Sequence, residues 1–242
     1  MDRKVKRIGI FDSGIGGINV LKELIKKYPN NEYIFYGDTK NLPYGSKSKE
    51  ELFLLASNAI DFLLSKDVDI IIIACGTISS TCVDDLRKKY NIPLYDIITP
   101  TLDFIKESSY QNIGVIATER TIKSNIFAID NKKILMKATP SFVPIIENNE
   151  IEIRKEEIKN ELKDFQKCDA LVLGCTHYPM LKKIIEEELK IRTIDMGKCL
   201  TDKILLSNEK KQSIELYFTL VSVNLVLNIN KILNNDYQIF TI

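Results

Sequence analysis

A chain of 242 residues can hold one large domain or two small ones, with a sizeable core. Its 34 basic residues are balanced by 33 acidic ones, so no global charge points to nucleic acid or an anionic membrane as partner. The composition, 45% apolar and 28% charged, is that of a soluble globular protein, and no apolar run approaches the roughly 20 residues of a membrane helix.

In chain order, the opening "MDRKVKRIGIFDSG" has an apolar run of only Ile8 to Phe11, too short for a signal-peptide core. A cytoplasmic protein is therefore expected. "RIGIF" reads as a strand that runs into "DSGIGG" and then a helix, where Val20, Leu21, Leu24, Ile25 and Tyr28 keep helical spacing. "EYIFYGD" is a second strand. Ser48 with Glu51 three residues on forms a capping box, opening a helix through Leu52, Leu55, Ala56, Ala59, Ile60 and Leu63. "DIIIIAC" is a third strand, followed by one helix through Cys82, Val83, Leu86 and Tyr90. Between Tyr95 and Pro100 the pattern restarts, with Thr99 as N-cap and Pro100 at the first helical position.

The second stretch repeats the first. "NIGVIATERTIKSN" has the shape of "RIGIFDSGIGGINV", and "CDALVLGCTHYPML" that of "VDIIIIACGTISS". Asp69 and Asp169 lie 100 residues apart, as do Cys75 and Cys175, while Ile8 and Ile113 lie 105 apart. A degenerate internal duplication explains this spacing. The tail "SIELYFTLVSVNLVLNINKILNN" reads as strand then helix, returning to complete the first unit. The expected fold is α/β: two pseudo-symmetric α/β domains with mostly parallel sheets, and the active site in the cleft between them. The first domain would span 1–97 plus 207–242, the second 98–206.

Five cysteines, an odd number, without a secretion signal fit reduced thiols better than a disulfide framework. Cys82 sits on an apolar helical face, and Cys168 and Cys199 have no motif around them, so these three read as core or surface thiols. Cys75 and Cys175 each end a buried strand just before a helix or turn, where backbone N–H groups favour thiolate. Such surroundings lower a thiol toward neutral from its free value of about 8.5. Two symmetry-related thiols suit an acid and a base on opposite faces of one carbon, which is what inversion of a stereocentre requires. Asp12, Thr77, Thr176 and His177 lie on neighbouring turns, able to orient substrate or poise the sulfurs. Cys175-Thr176-His177 is half of a zinc site, but no second Cys/His pair has zinc spacing. "DSGIGG" lacks both the G-x-G-x-x-G spacing and the P-loop lysine, which argues against a nucleotide loop.

"FDSGIGG", "YGDTKNLPYGSKS", "ACGTIS", "ATERTIKSN", "FVPIIE" and "LGCTHYPML" resemble, in order and over nearly the whole chain, the successive motifs of the glutamate racemases. These belong to the cofactor-independent aspartate/glutamate racemase superfamily. The resemblance implies that Cys75 and Cys175 are the acid/base pair, Cys75 serving D-glutamate and Cys175 L-glutamate. Asp12 and Ser13 would contact the substrate amino group and assist Cys75. The turn Pro43, Tyr44, Gly45, Ser46 would hold the side-chain carboxylate. Thr77, Thr118 and Thr176 would bind the α-carboxylate or amino group, His177 would poise Cys175, and Glu147 matches an acidic position near the site. It implies glutamate as small-molecule substrate, no pyridoxal phosphate, metal or other cofactor, and D-glutamate supplied to peptidoglycan. The family often forms homodimers.

The chain departs from the family at Gly76, where most members have Asn after the first Cys. That amide is lost, which bears on affinity and substrate choice and keeps an aspartate or broader acidic amino-acid racemase as the alternative. From the residues alone, a non-catalytic thiol redox or metal-binding module is the other class. Sulfurs opening on different surfaces would mark it.

Overall fold

The computed structural model describes residues 7–207 and 211–242. Residues 1–6 and 208–210, part of the expected first domain, lie outside the described residues, as does the basic part of the opening stretch.

Among the described residues, ten strands form two sheets. β1 (Arg7–Asp12), β2 (Glu32–Gly37), β3 (Ile70–Ile73) and β4 (Leu94–Asp96) join β9 (Ser213–Phe218) and β10 (Gln238–Thr241) in the order β10-β9-β2-β1-β3-β4. β5 (Asn112–Ala117), β6 (Lys133–Ala138), β7 (Ala170–Gly174) and β8 (Arg192–Asp195) form the second, in the order β6-β5-β7-β8. Every pairing is parallel. The tail thus adds its strand to the first sheet, with Phe35 opposite Leu216.

The order β2-β1-β3-β4 is the order β6-β5-β7-β8 shifted along the chain, and the central ladders keep the same register, the second residue of β1 or β5 opposite the first of β3 or β7. Ile8 pairs with Ile70, and Ile113 with Ala170. The two matched aspartates do the same task. Asp69 accepts the N–H of Arg7, the first residue of β1, at 3.0 Å. Asp169 accepts the N–H of Asn112, the first residue of β5, and that of Gln111, both at 2.8 Å. Each carboxylate anchors the neighbouring strand of its own sheet.

The isoleucine run of β3 is buried on both faces, which is why it does not alternate with polar residues. Ile70 and Ile72 face a core shared by both sheets, where they join Ile113, Val115 and Val172. Ile71 and Ile73 face a separate core under α2 (Lys49–Leu64). Leu171 and Leu173 of β7 face a third, under α7 (Phe142–Glu147), α8 (Lys155–Leu162) and α9 (Lys182–Leu189). The shared core holds α1 (Gly17–Lys27), α5 (Ile98–Glu107) and α10 (Met196–Lys203), and so welds the halves together on one side.

Two local expectations are corrected. The helix after β3 is broken at Cys82 (φ −125°, ψ −10°) into α3 (Gly76–Thr81) and α4 (Val83–Lys89), and Tyr90 lies beyond it. α5 is not capped by Thr99. The Asp96 carboxylate accepts the N–H groups of Ile98 and Thr99, both at 2.8 Å, so Pro100 falls at the third helical residue, where a missing N–H costs nothing. The Ser48–Glu51 box is present in both directions, at 3.1 and 2.8 Å. The remaining helices are α6 (Glu119–Lys123) and α11 (Val223–Ile232). Among the described residues, no helix is long and apolar enough to cross a membrane.

Candidate active site

Parallel strands deliver their following turns to one edge of the sheet. Here the carboxyl ends of β1, β2 and β3 face those of β5, β6 and β7 across a cavity of about 370 Å³. Ser13, Pro43, Tyr44, Gly45 and Ser46 line it from the first half, with Cys75, Gly76 and Thr77. Thr118, Glu147, Cys175, Thr176 and His177 line it from the second. Asp12 does not. It is fully buried one layer below, and its carboxylate accepts the N–H groups of Gly14 (3.2 Å) and Gly17 (2.9 Å) and the Thr176 hydroxyl (3.3 Å). Burial pushes its carboxyl up, against the pull of His177 and of those N–H groups.

Both thiols open onto the cavity and have different neighbours. The Cys75 thiol donates to Ser13 Oγ at 3.5 Å. Burial pushes it up to about 12, and the Asp12 charge adds to the rise. The expected drop toward neutral is therefore overturned for Cys75. The N–H of Ile78, in the first turn of α3, does help the thiolate, but a six-residue helix cannot offset its desolvation. The Cys175 sulfur lies 3.6 Å from His177 Nδ1, and His177 Nε2 lies 2.8 Å from Glu147 Oε1. Burial opposes the His177 imidazolium, but Cys175 and Glu147 together raise its pKa well above the usual histidine value. The charged form of the imidazole is thus favoured beside Cys175, while the ionisable neighbour felt by Cys75 is the buried Asp12 carboxyl. All five cysteines are free. Among the described residues, no group of three or more His, Cys, Asp or Glu side chains is placed to hold a metal ion.

The glycines of "DSGIGG" serve close approach rather than unusual backbone angles, since none has positive φ. A Cβ on Gly16 would stand 2.3 Å from Thr176 Oγ1 and 2.7 Å from the His177 backbone nitrogen. One on Gly17 would stand 2.5 Å from the Asp12 Cβ. The loop of the first half is thereby laid directly on the second thiol turn, where Asn19 also donates to the Thr176 carbonyl at 2.8 Å. Gly76 is a second contact between the halves. A Cβ there would lie 3.0 Å from the Gly174 carbonyl oxygen, just before Cys175.

Residues 18–204 match the Asp/Glu/hydantoin racemase family model, about three quarters of the chain. A curated glutamate racemase of Aquifex aeolicus is 38% identical over 96% of both chains. The chain belongs to the Asp/Glu/hydantoin racemase family. It is an amino-acid racemase, an isomerase that acts on a small molecule. Among solved structures, a glutamate racemase of Bacillus anthracis superposes with a TM-score of 0.89 at 26% identity, covering 99% of this chain and 98% of that one. One from Francisella tularensis, solved in complex with D-glutamate, gives 0.87 at 29% identity over 98% and 97%.

Several residues that line or support the cavity were not legible in the sequence. Leu42, Pro140, Val143, Pro144 and Tyr178 form apolar wall around the cavity. Tyr178 is held by Thr139 through two hydrogen bonds, at 2.8 and 3.0 Å, and by an edge-on contact with Phe142. Asp38 supports the cavity from below. It accepts the Tyr44 hydroxyl at 2.6 Å and the Thr219 hydroxyl at 2.9 Å, so Tyr44 packs inward with its oxygen satisfied. Its signal was its place at the end of β2, next to Asp12 at the end of β1.

Proposed function

We propose that the chain is a glutamate racemase that interconverts L- and D-glutamate with Cys75 and Cys175 as paired acid and base. The observation that carries this reading is one cavity onto which two matched Cys-Thr turns open, one from each sheet. Cys175, beside the His177 imidazolium, takes the Cα proton of L-glutamate as thiolate. Cys75, held as a thiol by burial, gives its proton to the opposite face. The Cα–H bond on one face is broken and one on the other is made, and D-glutamate is released. The reverse reaction exchanges the roles. Glu147 keeps His177 charged and oriented. Ser13 meets the substrate amino group and the Cys75 sulfur, and Asp12 braces that turn from below through Gly14 and Thr176. Thr77, Thr118 and Thr176 receive the α-carboxylate or amino group, and the turn Tyr44–Ser46 receives the side-chain carboxylate.

On this reading the catalytic unit is built from two domains, 1–97 plus 207–242 and 98–206, and works in the cytoplasm without cofactor, as a homodimer. Its D-glutamate feeds peptidoglycan. Incubation of L- or D-glutamate in D₂O, with no cofactor added, tests the reaction. Inversion with deuterium entering Cα is expected. Exchange with aspartate and none with glutamate would favour the second reading, an acidic amino-acid racemase of other preference, for which Gly76 is the reason. No exchange with either would overturn both.

A further inference from the structure

Two of the seams along which the halves meet are unlike. On one side is the shared apolar core, where Ile18 and Leu21 of α1 pack with Met196 and Leu200 of α10. Across the cavity the seam is polar and thin. The Thr77 and Thr118 hydroxyls are 3.0 Å apart, and Ser80 donates to the Thr121 hydroxyl at 3.3 Å. A Cβ on Gly45 would lie 3.2 Å from the Thr118 Cβ. At the outer end of this seam, Nη2 of Arg120 in α6 donates to the backbone carbonyl of Lys47, in the other half.

Lys47 closes the turn Tyr44–Ser46, and its N–H donates to the Tyr44 carbonyl at 3.2 Å. The turn is three residues long and has no side-chain cap. So short a 3₁₀ turn is weak by itself. Tyr44 is anchored below by Asp38, but Gly45 and Ser46 stand toward solvent at the cavity mouth. The Lys47 carbonyl is the handle on this outer end, and the group that grips it comes from the opposite half.

We propose that Arg120 is a positioning residue for substrate, which clamps the Tyr44–Ser46 turn across the cleft in the geometry that receives a side-chain carboxylate. The inference rests on the reading of that turn as the carboxylate receiver. Arg120 does not line the cavity, so it acts through the turn and not by contact with substrate. Because its two ends belong to different halves, turn order and seam closure are one event. Substrate held by the turn favours the closed seam, and an open seam loosens the turn.

The test is steady-state kinetics on both glutamate enantiomers, with thermal melting, for the wild-type chain, Arg120→Ala and Arg120→Lys. Loss of one charge-assisted hydrogen bond to the turn should raise KM about tenfold in Arg120→Ala, with kcat and Tm little changed. Arg120→Lys keeps a charged donor and should recover part of the loss. If Arg120→Ala does not fold, Arg120→Gln is judged by the same split. An unchanged KM, or KM, kcat and Tm worsening together without relief in Arg120→Lys, would overturn the clamp while leaving the racemase reading intact. A wild-type chain inert toward glutamate would overturn both.

Discussion

The turns after β3 and β7 have the same backbone origin and unlike neighbours around their sulfurs. Each follows a buried parallel strand, each strand begins just after an aspartate that anchors its neighbour, and each places a cysteine on the same cavity. Around Cys75 stand a neutral hydroxyl, from Ser13, and the charge of Asp12. Beside Cys175 stands His177, whose pKa is raised by Cys175 itself and by Glu147. Duplication therefore accounts for where the sulfurs are, and later divergence for what each can do. A protein is itself chiral, so two mirror-image substrates cannot meet mirror-image sites within it. On the proposed mechanism, unequal neighbours on the two sulfurs are how one cavity would serve both.

The most direct way to break this comparison is to remove either sulfur. Cys75→Ala and Cys175→Ala should each lower racemisation by about 10²- to 10⁴-fold or more, measured by circular dichroism of glutamate. Full activity in either variant would sink the two-thiol mechanism. Next in size is the loop that touches the second turn. Gly16→Ala should cost about 1–3 kcal/mol of stability by overpacking and most of the activity, because its methyl group lands on the His177 backbone. Chemical denaturation together with the racemase assay would show it.

Glu147→Gln sharpens the comparison by weakening only the cationic side. We expect kcat/KM to fall about tenfold, the scale of one charge-assisted hydrogen bond. The fall must be equal in both directions, because the enantiomers have equal free energies in water. A pH dependence should accompany it. The folded-state pKa of His177 is raised, so the stability it contributes is fully present below its unfolded value, about 6.5, and drains as pH rises through the folded value. The Tm gap between wild type and Glu147→Gln should therefore be widest at acidic to neutral pH and close on the alkaline side. The smallest effect belongs to the other glycine contact. Gly76→Ala meets the Gly174 carbonyl at 3.0 Å but gains helix propensity at the start of α3, so its stability should change by less than about 1 kcal/mol. A larger loss would show that the two turns have no room to part.

The fold was legible where burial dictates pattern. "RIGIF" and "DIIIIAC" read as strands because apolar runs of strand length have few other uses in a parallel sheet, and β1 and β3 lie where those runs lie. The capping box at Ser48 was legible because its two bonds are local. The break at Cys82 and the capping of α5 by Asp96 were not. Thr99 before Pro100 has the right residue types, but a carboxylate at the end of β4 accepts the N–H groups of Ile98 and Thr99 and so starts the helix earlier, with a stronger acceptor. At the site, the residue types of both thiol turns were legible. Their partners were less so, since Thr77 with Thr118 and Gly16 with His177 meet only through tertiary packing. The direction of the Cys75 shift was not legible for a related reason. A strand-to-helix turn supplies N–H groups that sequence can suggest, whereas the depth of burial that outweighs them belongs to the assembled cavity.

The order of the first sheet has a consequence for how the chain is made. During vectorial synthesis the strands of the second sheet, ending at Asp195, are all available before Ser213 of β9 emerges. Until then β2 is an open edge, with Tyr33 and Phe35 lacking a neighbour on that side. An unpaired edge of this kind is a template for association with other chains. A nascent racemase would thus carry a complete second sheet beside an unfinished first one, and shielding of β2 would be needed at that stage of biogenesis more than at any later one.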